Sequence, residues 1–384
     1  MKKILFVINS MEIGGTRRSL INLLNEMVKK NNIECHLLVF SPYGEYMNEI
    51  PQGIKLCDTS DDLIAMFSSA EALRCRKDYL RLARKAVLSA KKKVYGEWRV
   101  MSDIYHSHIR NSNTHYDLAV GFQEGGCNDY AANADADKKI FWIHNNYENL
   151  SDLAHGNPES YKKADSINFV AEASMNSFKR NMPEYADKMR VIKNVLPQDI
   201  IRRQSEHNVE DIYHTDGVKL ISVGRVSNQK GFDRLVEVAS NLKKKKLSFE
   251  WVIIGDGEQR KDLNGRVIEN HLKDCVHFIG AKSNPYPYIR QADLYVLTSR
   301  YESQPMVVME ALTLGVPVLS TSFESVNEIV EDKGFAATVE NSVQGIEERL
   351  SDLLENKEQI EEMKAATVEF QYNNDKIINE ILTL

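Results

Sequence analysis

The chain has 384 residues, of which 42% are hydrophobic and 27% charged, the composition of a soluble globular protein long enough for two cores. No window approaches the ~18 apolar residues a membrane span needs. The five cysteines (Cys35, Cys57, Cys75, Cys127, Cys275) make no CxxC pair and no zinc spacing. Integral-membrane, disulfide-framework and zinc-module classes are thereby set aside, and reduced thiols in a cytoplasmic protein are expected. The net charge of −6 is uneven. Between Leu73 and Arg99, Arg74, Arg76, Lys77, Arg81, Arg84, Lys85, Lys91, Lys92, Lys93 and Arg99 face only Asp78 and Glu97, a local +8 on an otherwise acidic chain. Such a segment suggests a negatively charged partner.

The N-terminal MKKILFVINSMEIGG has an apolar run too short for a signal peptide and reads as a first strand, Lys3–Ile8. Gly14 and Gly15 break it, and Leu20, Leu23, Leu24 and Met27 then recur at helical spacing before a second strand, Cys35–Phe40. Strand, glycine turn, helix, strand is a βαβ unit, and so points to a parallel sheet. Asp117–Phe122, Ile140–His144 and Ile167–Val170 are further strands. Within the basic segment, Leu80, Leu82, Ala83, Val87 and Leu88 alternate with the cations at helical spacing, giving one apolar and one basic face. That fits an exterior helix with its apolar face in the core as well as a helix lying on an anionic membrane surface. Pro197–Gly217 is polar and reads as an inter-domain connection. Alternation then resumes, with strands at Lys219–Val223, Glu250–Ile254, Val276–Ile279, Leu294–Leu297 and Val316–Ser320, and the pattern from Lys357 to Leu384 is helical.

Two constellations could carry chemistry. In ISVGRVSNQKGF, Gly224 and Arg225 follow a strand and Lys230 lies five residues on, before a helix. A diphosphate needs cations and backbone N–H groups beyond the carboxyl end of a strand, and this loop offers both. Two solvated surface cations are the plainer account of the same residues. In SRYESQPMVVMEALTLGVPV, Pro305 marks a helix start, so Glu302 stands in the preceding loop and Glu310 inside the helix. Two glutamates eight apart are weak evidence alone; their place after a strand and over a helix N-terminus strengthens them. Gly255-Asp256-Gly257 resembles the start of a dinucleotide fingerprint, but Arg260 replaces the third glycine. Asp135-Ala136-Asp137 precedes a strand and reads as solvated, so no metal or other cofactor is expected.

Taken in order, G-R-x4-K-G, VIIGDG, VHFIG, S-R-Y-E-x7-E and G-V-P-V resemble family 4 of the retaining glycosyltransferases from about Lys219 to Phe335. Gly14-Gly15 and FWIHNN are looser matches in the first half. The resemblance implies the GT-B architecture: α/β, two Rossmann-like doubly wound domains facing across a cleft. Residues 1–196 would form the acceptor-side domain and residues 197–369 the nucleotide-sugar domain, with a helix at about 370–384 returning to the first. It implies that Arg225 and Lys230 hold the donor diphosphate, that Glu310 binds the ribose, and that Glu302 lies against the donor sugar with the amides of Met306 and Val307 beside it. Gly15 would let the backbone approach the diphosphate, Gly224 and Pro305 would shape the donor loops, and His144 would contact sugar or acceptor, although a lone histidine is more often structural. Gly280 and Lys282 would line the base pocket. Arg300 has no counterpart that can be placed.

The implied activity is retaining transfer of a hexosyl or N-acetylhexosaminyl group from a nucleoside diphosphate sugar, UDP-sugar favoured. The acceptor would be a saccharide, glycoconjugate or lipid-linked acceptor in cell-surface polysaccharide assembly. No nucleic-acid partner is expected, and the basic segment at residues 73–99 would permit peripheral membrane contact. Two other readings stay open: a sugar-nucleotide epimerase on the same architecture, which would need groups to remove the C2 proton, and a non-catalytic binder of glycans or sugar nucleotides.

Overall fold

The computed structural model describes residues 1–150, 155–330 and 333–384. The chain divides into two compact units, Met1–Val195 with Asn374–Leu384, and Leu196–Asn373. The first contains β1 (Lys2–Ser10), β2 (Ile33–Ser41), β3 (Lys55–Leu56), β4 (Tyr116–Gly121), β5 (Ala136–Ile143), β6 (Ser166–Phe169) and β7 (Met189–Val191). All pair in parallel, in the order β3-β2-β1-β4-β5-β6-β7. The second holds β8 (Val218–Val223), β9 (Phe249–Ile254), β10 (Val276–Phe278), β11 (Leu294–Leu297), β12 (Val318–Thr321) and β13 (Ala336–Val339), also parallel, in the order β10-β9-β8-β11-β12-β13.

Helices cover both faces of a parallel sheet, so its strands need apolar side chains on both sides. That is why the central strands appear in the sequence as unbroken apolar runs: every residue of β9 is buried, as are Ile4–Ile8 in β1. The edges are different. β3 is two exposed residues, and β7 and β13 are short and half-exposed, so no apolar run marks them. Strand ends differ from the sequence reading by a residue or two. β5 begins at Ala136, which places Asp137 inside the strand; Asp135 and Asp137 flank His115 at 3.0 and 3.2 Å, an exposed cluster that accounts for both carboxylates.

Pro197–Gly217 corrects the expectation of a bare connection. Gln198–Ser205 is a helix, and Leu196, Ile201 and Tyr213 are buried in the second unit's core beside Ile221, Val252 and Tyr295. One inward isoleucine in a two-turn helix leaves too little periodicity to detect. At the other end, the helix Asn374–Thr383 belongs to the first unit: Ile377, Ile378 and Ile381 are buried, Lys30 pairs with Asp375 at 3.3 Å, and Lys2 Nζ donates to the Leu382 carbonyl at 3.0 Å. Ile381→Ala should therefore destabilise the first unit by about 2–4 kcal/mol, read as a lower denaturant midpoint for the fluorescence of Trp98 and Trp142.

Candidate active site

In each sheet the strand order reverses direction at one point, between β1 and β4 and between β8 and β11. Loops leaving the carboxyl ends of two such strands diverge and open a crevice, the usual place for a ligand in a doubly wound sheet. In the second unit those loops are Gly224–Gly231 and Thr298–Pro305, the two segments singled out in the sequence. Their mutual placement is fixed from several sides. Tyr295 Oη donates to the Val223 carbonyl at 3.1 Å, and Thr298 Oγ1 donates to the Lys230 carbonyl at 2.8 Å. Gly231 sits at φ 68°, and a Cβ there would collide with the Thr298 carbonyl. The Gly255-Asp256-Gly257 turn lies against the first loop: the Gly224 and Val226 amides donate to the Ile254 and Asp256 carbonyls, each at 3.0 Å, and a Cβ on either glycine would overlap backbone. What resembled a dinucleotide fingerprint is a brace for the cationic loop.

At the centre Lys230 Nζ meets Glu302 Oε1 at 2.6 Å, with side chains only 16% and 10% exposed. Ser299 Oγ donates to the same carboxylate oxygen at 2.7 Å, and Ser325 Oγ to the Glu302 carbonyl at 2.7 Å. Gly224 makes room for this lysine, since a Cβ would stand 3.0 Å from Lys230 Cε. Arg225, on the same loop, is exposed and pairs with no acidic group among the described residues. Arg300 now has a place: it forks onto Asp233 at 2.9 and 2.7 Å, donates to the Asn228 carbonyl at 2.5 Å, and its amide donates to the Gln229 carbonyl at 2.8 Å. It ties the two loops together from behind, and its hydrogen bonds hold Asp233 below the usual carboxylate range. Nothing in the sequence announced this pair, whose members stand 67 residues apart.

Glu310 lies in the helix Met306–Thr313, buried, accepting a hydrogen bond from Tyr286 Oη at 3.3 Å. Pro305 caps that helix. The Met306 amide donates to the Gln304 carbonyl at 2.9 Å, so of the two amides expected to be open to a ligand one is engaged within the protein. Val307 lies in the first turn, where the next amide, that of Val308, is taken by the Pro305 carbonyl at 3.0 Å. Gly280 and Lys282 lie past β10, two strands from β8. The Gly280 carbonyl receives the Gly255 amide at 3.0 Å, and the Lys282 ammonium rests 5.5 Å from the Tyr288 ring centre.

The first unit has its own polar group at its switch point. Gly14 and Gly15 follow β1, and the space beside Gly15 is open. Arg17, in the helix Gly15–Met27, reaches back to Ser10 Oγ at 3.4 Å. His144 directly follows β5 and is 6% exposed, its ring 4.9 Å from that of Phe122. Its amide donates to Glu124 Oε2 at 3.2 Å, and the Asn145 side chain donates to Glu124 Oε1. Glu124 escaped the sequence reading; the signal available was a carboxylate between a strand end and two glycines. Burial pushes the His144 imidazole down to about 3, so the ring is neutral at ordinary pH. Its Nε2 has no partner among the described residues, and neither does Asn9 Oδ1 or Gln123 Oε1. These three orphaned atoms follow or end β1, β4 and β5, which are adjacent strands.

Residues 203–370 match the family model described as glycosyl transferases group 1. The match lies within the second unit and covers none of the first. An uncharacterized glycosyltransferase of Methanocaldococcus jannaschii is 27% identical over 196 residues, 48% of this chain and 48% of that protein. The N-acetylgalactosamine-N,N'-diacetylbacillosaminyl-diphospho-undecaprenol 4-alpha-N-acetylgalactosaminyltransferase of Campylobacter jejuni is 27% identical over 198 residues, 50% of this chain and 52% of that enzyme. The chain thus spans about half the length of the curated relatives it matches. Anabaena HepE, solved in complex with UDP-glucose, superposes over 100% of both chains with a TM-score of 0.67 at 17% identity. The two units are those of the GT-B fold. Among the described residues, no helix is long and apolar enough to cross a membrane.

Two outcomes follow from this geometry. Gly231→Ala should cost the second unit about 1–3 kcal/mol in backbone strain alone, with a lower unfolding midpoint at Trp251. His144 is held neutral when folded but takes a proton below about pH 6.5 when unfolded, so its contribution is complete above that pH and is lost as pH falls. Stability of the first unit should decline by up to about 1.4 kcal/mol per pH unit below pH 6 on this account, and His144→Gln should flatten that limb.

Proposed function

We propose that the chain is a retaining glycosyltransferase that moves a hexosyl or N-acetylhexosaminyl group from a nucleoside diphosphate sugar to a saccharide or glycoconjugate acceptor. The observation that carries this is the contact of Lys230 with Glu302 at the β8/β11 switch point, with Arg225 exposed beside it and Glu310 on the helix that follows. Arg225 and Lys230 supply the charge that a departing diphosphate requires. Glu310 is the acceptor for ribose hydroxyls, and Glu302 for hydroxyls of the transferred sugar. Glu302 holds the lysine at the site until phosphate competes for it.

Retention would follow from a same-face displacement in which the leaving phosphate oxygen takes the acceptor's proton, so that charge stabilisation, not a dedicated base, lowers the barrier. A neutral His144 suits this, accepting a hydrogen bond from a hydroxyl without adding charge. The UDP-glucose complex of the Anabaena structure favours a uridine donor. The name of the Campylobacter enzyme favours an acceptor saccharide carried on a lipid diphosphate, within cell-surface polysaccharide assembly. Such an acceptor would bring the cytoplasmic protein to the membrane face through residues 73–99.

The protein incubated with a panel of UDP- and GDP-sugars should show one donor raising its melting temperature, and that donor should release nucleotide diphosphate when acceptor is added. Lys230→Ala and Glu302→Ala should each lower kcat by about 100-fold or more, while Glu310→Ala should chiefly raise KM for the donor. Turnover should survive a chelator, and the product's anomeric proton should show the donor's configuration. Epimerised donor without acceptor, or an inverted product, would overturn the reading.

A further inference from the structure

The helix Tyr79–Tyr95 is anchored to the first unit by one face only. Leu88 is buried in the core, Lys85 Nζ donates to the carbonyls of Ala65 and Met66 at 3.3 and 3.1 Å, Arg81 pairs with Asp61 and Asp78, each at 2.8 Å, and Lys92 pairs with Glu97 at 2.5 Å. The apolar residues grouped on one face in the sequence reading therefore divide. Leu88 turns inward, whereas Leu80, Ala83, Val87, Ala90 and Val94 all face solvent, with Leu80 87%, Val87 56% and Val94 73% exposed. Their spacing of three and four residues makes one continuous ridge along a helix of about 25 Å. Tyr79 and Tyr95, both exposed, stand at its ends.

The charges beside this ridge are of one sign. The helix contains no acidic residue. Lys91 and Lys93 on its last turns, and Arg74 and Lys77 just before it, are exposed and pair with no acidic group among the described residues. Arg84 is taken up by Asp61 and Asp62, at 3.2 and 2.7 Å, so it does not contribute. A second copy of the same helix laid on the ridge would bring lysine against lysine with no carboxylate from either helix to offset them, and the two alanines give it little to grip. An anionic bilayer supplies what is missing: hydrocarbon for Leu80, Val87 and Val94, a headgroup zone for the tyrosines, and negative charge for the lysines.

We propose that this ridge inserts into the surface of an anionic membrane, with Lys91 and Lys93 holding lipid phosphate. The inference extends the proposed transferase by placing its acceptor on lipid, and it is tested separately from transfer. The full-length protein should sediment with phosphatidylcholine vesicles containing about 30% phosphatidylglycerol and not with phosphatidylcholine alone. The triple variant Leu80→Gln, Val87→Gln, Val94→Gln and the double variant Lys91→Glu, Lys93→Glu should each lower the partition coefficient about tenfold or more, with the melting temperature and its donor-induced shift unchanged. Equal partitioning of both variants with wild type, failure of wild type to bind anionic vesicles, or a wild-type dimer that the triple variant dissolves would overturn it, the last assigning the ridge to a second copy. Vesicle binding without any donor-induced shift would sustain the docking and refute the transferase reading.

Discussion

The site depends on one pairing, that of β8 with β11, which sets Leu220 beside Leu294 and Ile221 beside Tyr295. Nothing local brings Lys230 to Glu302; the strands do, and the strands are held by burial on both faces of the sheet. Once they are parallel and adjacent their loops leave from the same edge, and hydroxyl groups fix the rest: Tyr295 to Val223, Thr298 to Lys230, Ser299 and Ser325 to Glu302. A lysine and a carboxylate this shielded are costly to separate. Removing one leaves the other charged and poorly solvated, so the pair defines the resting geometry of both loops whether or not it adds net stability.

The first unit applies the same rule with different chemistry. Of its crevice-forming strands, β1 ends in Asn9 and Ser10, β4 is followed by Gln123 and Glu124, and β5 by His144. Here burial outweighs charge. The imidazole is driven to its neutral form, the Glu124 carboxylate is spent on the amides of His144 and Asn145, and Asn9 Oδ1, Gln123 Oε1 and His144 Nε2 are among the buried atoms that have no partner among the described residues.

The features legible in sequence were those that repeat locally or carry a motif. Central strands show as apolar runs, the glycine turns and Pro305 mark loop and helix starts, and Arg225, Lys230, Glu302 and Glu310 stand at recognisable spacings. The missing features depend on partners distant in sequence. Arg300 gains its role only from Asp233, Glu124 only from His144 and Asn145, and the helix Gln198–Ser205 only from the core that receives Ile201. The helix Tyr79–Tyr95 is the sharpest case. Its periodicity showed that it is amphipathic, but Leu80 and Leu88 look equivalent in a sequence and differ in the structure, Leu80 87% exposed and Leu88 buried, because acidic residues of the helix Asp61–Phe67 claim Arg81 and Arg84 and so set its rotation.

Under the proposed function, the charge balance of the loops would favour a nucleotide sugar over a bare nucleotide. Arg300 is neutralised by Asp233 and Lys230 by Glu302, so of these cations Arg225 alone is uncommitted. A diphosphate approaching Arg225 also draws the Lys230 ammonium, because two phosphate charges compete with one carboxylate for it. Glu302 then keeps the hydroxyl of Ser299 but loses its cation, in a place too shielded for water to compensate fully. A hydroxyl donor carried by the ligand itself, one residue beyond its phosphates, restores that balance. In the proposed reaction the lysine would pass to phosphate as the carboxylate passes to sugar, and a ligand with only one of the two groups would leave half of the exchange unmet.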